Sequence, residues 1–419
     1  MSGVSGQRSV VTRGECVTHH PWKVARLVAA ILECTVIGLP AAAIAAGTNA
    51  TPAWPIFHGD AALSGVADTA LPDKLSVVWR FRAGEAVSAA PVVGGDMIYF
   101  VTEGGRLYAI SLQGRKIWAR VTGDERAAAT NRTRQAARFV TPPLFVRDTV
   151  LAGADDGCLH ALESTTGKTR WKYKAGESIH STANWVEVDG ERGCGIVVIS
   201  QENGIVHCVD LASGKARWTS PPVERCDASP GVGSNFIAFG SCAAALHFVS
   251  AAKGEMLATL ALGADGQVAG GVAVSGDQVF AGTLGGMIVC ADVKKGIVWT
   301  NQIAKGEAFA TPAVTADRVV AGANDGFVYC LDRADGRKLW SFEAGDSVLS
   351  PVVAGDRVVV SAGGSLFILR LKDGGKLWAA KPGDLITSPA VADGKVIVGA
   401  DDGYVAVYGE AVPARHPRE

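Results

Sequence analysis

Short apolar runs, four or five residues long and separated by polar turns, recur along almost the whole chain. One unit shows the pattern. It opens with Thr311-Pro312-Ala313-Val314 and turns at Ala316-Asp317 into Arg318-Val319-Val320-Ala321-Gly322. The turn Asn324-Asp325-Gly326 then leads to Phe327-Val328-Tyr329-Cys330-Leu331, and Asp332-Arg333-Ala334-Asp335-Gly336 leads to Lys338-Leu339-Trp340-Ser341-Phe342. Runs this short, rich in β-branched and aromatic residues and bounded by Asp-Gly or Asn-Gly, predict antiparallel hairpins. Four such strands in about 40 residues make one blade of a β-propeller, which repeats a single supersecondary unit around a ring.

The blades can be counted from their opening residues. These lie near Pro91, Pro142, Thr182, Pro230, Gly270, Pro312, Pro351 and Pro389, which gives eight. The last blade has three strands of its own, ending at Val405-Ala406-Val407-Tyr408, whereas Val77-Val78-Trp79-Arg80-Phe81 is a fourth-strand sequence with no blade before it. Pairing these leftovers predicts an all-β, eight-bladed propeller over residues 75–410, closed by an N-terminal strand and left with no exposed sheet edge. Residues 47–74 form a segment leading into the ring, and 411–419 are expected to be a disordered tail.

Each unit closes on Gly-Lys-x-x-Trp or a close variant. Trp79, Trp118, Trp171, Trp218, Trp299, Trp340 and Trp378 fill the last slot, and Ala258 stands there in one copy. A large ring on an outer strand can cover the Gly-containing turn of the neighbouring blade and bury roughly 150–250 Å². The seven tryptophans are therefore expected to be structural docking residues, with a weak seam at Ala258.

These Asp/Glu-x-x-x-Gly-Lys-x-x-Trp units, clearest in 162–171 and 209–218, resemble the tryptophan-docking repeats of the pyrroloquinoline-quinone-like (PQQ-like) eight-bladed propellers. The segment Trp54-Pro55-Ile56-Phe57-His58-Gly59-Asp60 looks like the one found before the first blade in many such bacterial proteins. The resemblance covers about residues 53–409. It implies a superfamily that contains quinoprotein dehydrogenases and the non-enzymatic outer-membrane assembly factor BamB, so it fixes the fold and leaves activity to be argued from sites. The dehydrogenases typically stack the quinone on two adjacent cysteines and hold Ca²⁺ with carboxylate and amide ligands. This chain has no adjacent Cys pair and no long inter-blade insertions of that kind, and no catalytic residue carries over. We expect a non-catalytic, BamB-like protein-binding scaffold with no cofactor and no metal. The alternative is a PQQ-dependent oxidoreductase using PQQ and Ca²⁺.

Composition narrows the partners. Forty basic and 41 acidic residues nearly cancel, which argues against nucleic acid. At the N-terminus Arg8, Arg13, Lys23 and Arg26 precede an apolar run from Leu27 to Ala46 that ends in small residues. Residues 1–46 therefore read as a signal peptide or signal anchor, with cleavage near Ala45 or Ala50. Glu33 and Pro40 interrupt the run and disfavour a permanent span. Ile31-Leu32-Glu33-Cys34 carries Glu where a lipobox needs a small residue, so lipidation at Cys34 is not expected. The protein should be periplasmic or otherwise exported. It is expected to be a monomer that binds an envelope protein or peptide, with the outer-membrane assembly machinery as one candidate.

Candidate chemistry is sparse. His160, His207 and His247 share one slot in three successive blades, too far apart to ligate one zinc ion, and read as packing residues. Cys208, Cys290 and Cys330 likewise share a slot and read as small buried residues; Cys226 and Cys242 fall in one repeat and could pair in an oxidising compartment. No Gly-x-Ser-x-Gly elbow is present. More informative are Glu85, Glu177, Glu307, Asp346 and Asp384, each following a Gly about five residues before an inner strand. Such connections lie on one face of a propeller, so these carboxylates predict an acidic rim around the channel mouth. An insertion between the first two blades carries Arg126, Arg132, Arg134 and Arg138 on that same face, and unusually long loops are functional candidates. A second insertion, 188–195, should be a longer hairpin turn on the opposite face.

Overall fold

The alternating runs become strands because each presents side chains to two neighbouring sheets. The second and third strands of every blade are therefore almost wholly apolar and buried, as in Met97–Val101 and Leu107–Ser111. The computed structural model describes residues 53–122, 137–188 and 193–410. Among these residues no helix forms, and none is long and apolar enough to cross a membrane.

Eight sheets of four antiparallel strands follow one another around a ring, and Val66–Ala67 adds a fifth, parallel strand to the one at 352–380. Blade 1 consists of Val92–Gly94, Met97–Val101, Leu107–Ser111 and Lys116–Arg120. Blades 2 to 7 occupy 144–174, 184–219, 231–261, 273–302, 313–343 and 352–380. Blade 8 takes Ala390–Ala392, Lys395–Gly399 and Tyr404–Gly409 from the C-terminus and Ser76–Arg82 from the N-terminus, with Trp79 opposite Val407 and Arg82 opposite Tyr404. The eight blades and the N-terminal closing strand are those expected from the sequence. Blade 8 meets blade 1 through the inner strands Ala390–Ala392 and Val92–Gly94, which closes the circle.

Every blade carries a register shift between its third and fourth strands, next to the tryptophan slot. Such a bulge turns the outer strand and re-aims its side chains. The Trp171 indole lies over Gly214 of the next blade, and its N–H donates to the Leu211 carbonyl at 2.8 Å. Trp79, Trp118, Trp299 and Trp340 make the same hydrogen bond to Leu112, Ser164, Arg333 and Leu371. The covered turn glycine must be Gly for two reasons: its φ is positive, +68° at Gly214, and a Cβ there would sit 2.7 Å from the indole. Trp218 covers Gly254, but its buried N–H has no hydrogen-bond partner among the described residues. Trp378 instead packs edge-on against Tyr408 at 5.6 Å, because blade 8 is split between the termini and has no third-to-fourth turn. At Ala258 nothing covers the next turn, and a Cβ on Gly296 would meet open space. Phe248 stands opposite Ala258 and packs with Val279 and Val289 of blade 5. Bulk is restored inside the seam while its outer edge stays bare.

The segment before the closing strand seals one end of the channel. Trp54 and Val93 exchange backbone hydrogen bonds at 2.8 and 2.9 Å, and Phe145 N–H donates to Pro55 O at 2.7 Å. Val232, Val274, Val314 and Val353 then donate in turn to the carbonyls of Ala61, Ala62, Ser64 and Gly65. Blade 3 uses the Asn184 side chain, which donates to Ala61 O at 2.8 Å, and at blade 8 the Gly394 N–H donates to Thr69 Oγ1 at 2.9 Å. A stretch of sixteen residues, 54–69, therefore touches the inner edge of all eight blades in order. Trp54, Ile56, His58 and Leu63 are buried beneath it. The His58 ring is hydrogen-bonded to the carbonyls of Leu63 at 2.7 Å and Pro351 at 2.9 Å, which ties the segment to blade 7. Burial pulls the His58 pKa below its ordinary value, while these two carbonyls and Asp60 oppose that shift.

Candidate binding face and central channel

Two faces of the ring differ in what they carry. One holds the first-to-second and third-to-fourth turns of each blade together with the sealing segment. The other holds the second-to-third turns and the connections that open each new blade, and the channel mouth lies there. Hydrogen bonds lock these two sets of loops together: Ala83 N–H donates to Gly403 O, Asn324 to Glu307 O and Asp401 to Leu385 O.

The five rim carboxylates sit on this open face, one each at the openings of blades 1, 3, 6, 7 and 8. Glu85 accepts from Thr102 Oγ1 at 2.8 Å, and Glu307 accepts from Asn324 Nδ2 at 2.7 Å. Asp346 accepts from the Ser347 N–H at 2.7 Å, and Asp384 lies 3.3 Å from Lys381 Nζ. Glu177 is half-buried, with one oxygen lacking a hydrogen-bond partner among the described residues. The other four are exposed. Glu85, Glu307, Asp346 and Asp384 are therefore steadied by neighbouring residues of their own loops, and the set is spread over five blade openings instead of converging on one atom.

Arg138 belongs to the same face. Its backbone N–H and Nε hold the two oxygens of Asp155 at 2.8 and 3.1 Å, which fastens the end of the insertion to the turn of blade 2. Arg126, Arg132 and Arg134 lie outside the described residues. For the second insertion, Asn184–Val188 pairs antiparallel with Gly193–Ile199, the first and second strands of blade 3, and residues 189–192 lie outside the described residues.

The channel itself is narrow and uncharged. A cavity of about 210 Å³ is lined by Ser229, Gly271, Thr311, Leu349 and Ser350, with Phe57 of the sealing segment among them. Its hydroxyls are already used between blades. Thr182 N–H donates to Ser229 Oγ at 3.1 Å, Gly271 N–H to Thr311 Oγ1 at 2.9 Å and Thr311 N–H to Ser350 Oγ at 3.0 Å. Ligand pockets usually span about 300–1,000 Å³, and this one falls below that range. Its lining supplies neither a cation for the carboxylates of a quinone such as PQQ nor a carboxylate for Ca²⁺. The residues described around this cavity do not fit that cofactor.

The remaining candidate chemistry resolves residue by residue. His207 is hydrogen-bonded to Tyr173 OH at 2.9 Å and Ser200 Oγ at 3.3 Å, and His247 to Ser241 Oγ at 2.9 Å and Thr259 Oγ1 at 3.1 Å. Burial holds the His207 pKa down to about 4 and lowers that of His247. Cys208 and Cys290 are fully buried, and burial pushes each thiol up to about 12. Cys226 and Cys242 are both free thiols, the first buried and the second exposed. One feature of the open face has no repeat signature. Leu385, beside Asp384, is 61 % exposed, the largest value among the exposed large apolar side chains described. Only its place next to a rim carboxylate marks it in the sequence.

Comparison with known proteins agrees with this ring. The family model described as outer membrane protein assembly factor BamB matches residues 73–255 and again 202–382. No curated protein sequence matches the chain. Among solved structures, BamB from Moraxella catarrhalis is 18% identical with a TM-score of 0.64, covering 80% of this chain and 100% of its own. The computationally designed Ika8 protein is 18% identical with a TM-score of 0.66, covering 78% and 98% respectively. The quinohemoprotein alcohol dehydrogenase from Comamonas testosteroni is 14% identical with a TM-score of 0.68, covering 88% and 82%. Likeness at these identities shows the shared fold.

Proposed function

This chain belongs to the family described as outer membrane protein assembly factor BamB, and from that premise we propose that it is an exported, non-catalytic scaffold that holds a protein or peptide partner against its open face at the cell envelope. The observation that carries this reading is the contrast between the two ends of the channel. One end is closed over by residues 54–69, and the other presents exposed carboxylates around the opening of a narrow channel. Such a surface offers steering charge on loops held by hydrogen bonds. Leu385, beside Asp384, adds an exposed apolar contact to this charged surface. The partner that fits is basic, with an apolar residue set among its charges. On this reading the protein works outside the cytoplasm, and the outer-membrane assembly machinery is the first place to look for the partner.

Charge-neutral substitution of the rim tests this. Glu85→Gln, Glu177→Gln, Glu307→Gln, Asp346→Asn and Asp384→Asn keep acceptor oxygens for Thr102, Asn324 and Ser347, so the turns should hold. The combined variant should fold normally and lose salt-sensitive capture of partners from envelope extract. Recovery of the same partners in the same amounts by both forms would contradict the proposal. So would stoichiometric binding of PQQ in the presence of Ca²⁺.

A further inference from the structure

At the start of the third strand of blade 2, three donors of different chemistry alternate along the chain: Asp156, Cys158 and His160. The strand Cys158–Glu163 places Cys158 and His160 on one face, Asp156 stands in the turn just before it, and the ligand atoms of all three lie within 4.8 Å of one another. We propose that Asp156, Cys158 and His160 form a site for a borderline divalent transition metal, of which Zn²⁺ is the type, with the fourth position open to an exogenous ligand.

The histidine makes the cluster more than a coincidence of surface groups. In blades 3 and 4 the slot histidines meet hydroxyls from the end of the second strand, Ser200 and Ser241. In blade 2 the corresponding residue is Ala154, and the His160 Nε2 is buried with no hydrogen-bond partner among the described residues. A buried polar atom left unpaired is costly, so this arrangement needs a reason. The His160 side chain is 3% exposed, Phe139 packs edge-on against it at 5.2 Å, and Nε2 points to Asp156 Oδ1 at 3.9 Å. That separation is too long for a hydrogen bond and close to the spacing of ligand atoms around one metal, where bonds of about 2.0–2.3 Å leave donors about 3.5 Å apart. Asp156 is already oriented, since its Oδ1 accepts the Cys158 N–H at 3.0 Å.

Access and charge also suit an open site. His160 lines a cleft of about 530 Å³ between blades 1 and 2, Cys158 is half-buried and Asp156 is exposed, so an ion can enter. A thiolate, a carboxylate and a neutral imidazole balance a divalent ion. Lys172 and Lys174 stand across from His160 and Cys158, while Arg106, Arg120 and Lys168 line the same cleft. These cations oppose the metal's charge. They also favour an anionic fourth ligand, while burial and Asp156 hold the Cys158 thiol above its ordinary range, so that metal binding would have to displace its proton.

Cobalt(II) reports on such a site because a thiolate ligand gives it a near-ultraviolet charge-transfer band. Metal-free, reduced full-length protein titrated with Co²⁺ should develop that band at one equivalent and lose it when Zn²⁺ is added. Cys158→Ser should abolish the band, and Asp156→Asn and His160→Gln should each weaken Co²⁺ binding at least tenfold. Cys242→Ser, which removes an exposed thiol elsewhere, should leave binding unchanged. Asp156 is an exposed turn residue, so its variant reports on ligation even where the buried His160 change disturbs folding. Absence of the band in the wild-type protein, or an equal band in Cys158→Ser, would overturn the assignment.

Discussion

A single indole placed over a single glycine carries much of the stability of each seam. Trp171 combines apolar cover with a hydrogen bond to Leu211 O, and Gly214 leaves it the space to do so. Trp171→Ala should therefore cost about 3 kcal/mol, the low end for losing a large aromatic because the ring is only half-buried. Denaturant unfolding measures this, and a loss under about 1 kcal/mol would show that the seam does not depend on the indole. The buried histidines give a second expectation. His207 titrates near 4 in the folded ring and near 6.5 when unfolded, so between those values the unfolded chain binds a proton that the folded one refuses. Stability from this group is complete above pH 6.5 and falls by about 3 kcal/mol as the pH drops towards 4. His207→Gln should flatten that part of the Tm-against-pH curve, whereas parallel curves would contradict the assignment. Residues of this kind were legible unevenly. The repeated Gly-Lys-x-x-Trp slot stands out by its period, but the unpaired nitrogen of His160 depends on an Ala at 154, and no local motif links the two.

At the scale of elements, the closing strand and the sealing segment differ in how they announce themselves. Ser76–Arg82 reads as a fourth strand because it carries the tryptophan found in six of its seven counterparts. Residues 54–69 instead bind the ring through backbone carbonyls, at Ala61, Ala62, Ser64 and Gly65, and carbonyls leave no signature in sequence. The segment depends on one cramped position. Gly65 has φ +68°, and a Cβ there would lie 2.4 Å from the His58 ring. Gly65→Ala should destabilise the protein by about 2–3 kcal/mol and speed amide exchange at Val314 and Val353, which donate to the segment. Unchanged exchange at those two amides would show that the seal is independent of Gly65. The bare seam between blades 4 and 5 should also be a weak point, with faster exchange in Met256–Ala261 than in the outer strands that carry a docked Trp.

For the whole molecule, the architecture asks which face does the work. Eight near-equivalent blades give a rigid ring whose interior is consumed by packing, whose channel is narrow and whose one end is sealed. Blade number and closure were readable because a repeat multiplies every weak signal eightfold. The binding face is harder to read, because its carboxylates occupy turns where acids also serve as caps, as Glu85 does for Thr102. Leu385 lies outside the repeat pattern altogether. The most direct measurement of the central claim places a photo-crosslinking residue at Leu385 or Glu307 on the open face, and at Asp277 or Asp317 on the sealed face, in cells. The scaffold reading predicts discrete partner adducts from Leu385 and Glu307 and none from Asp277 and Asp317. Adducts from the sealed face alone would contradict it.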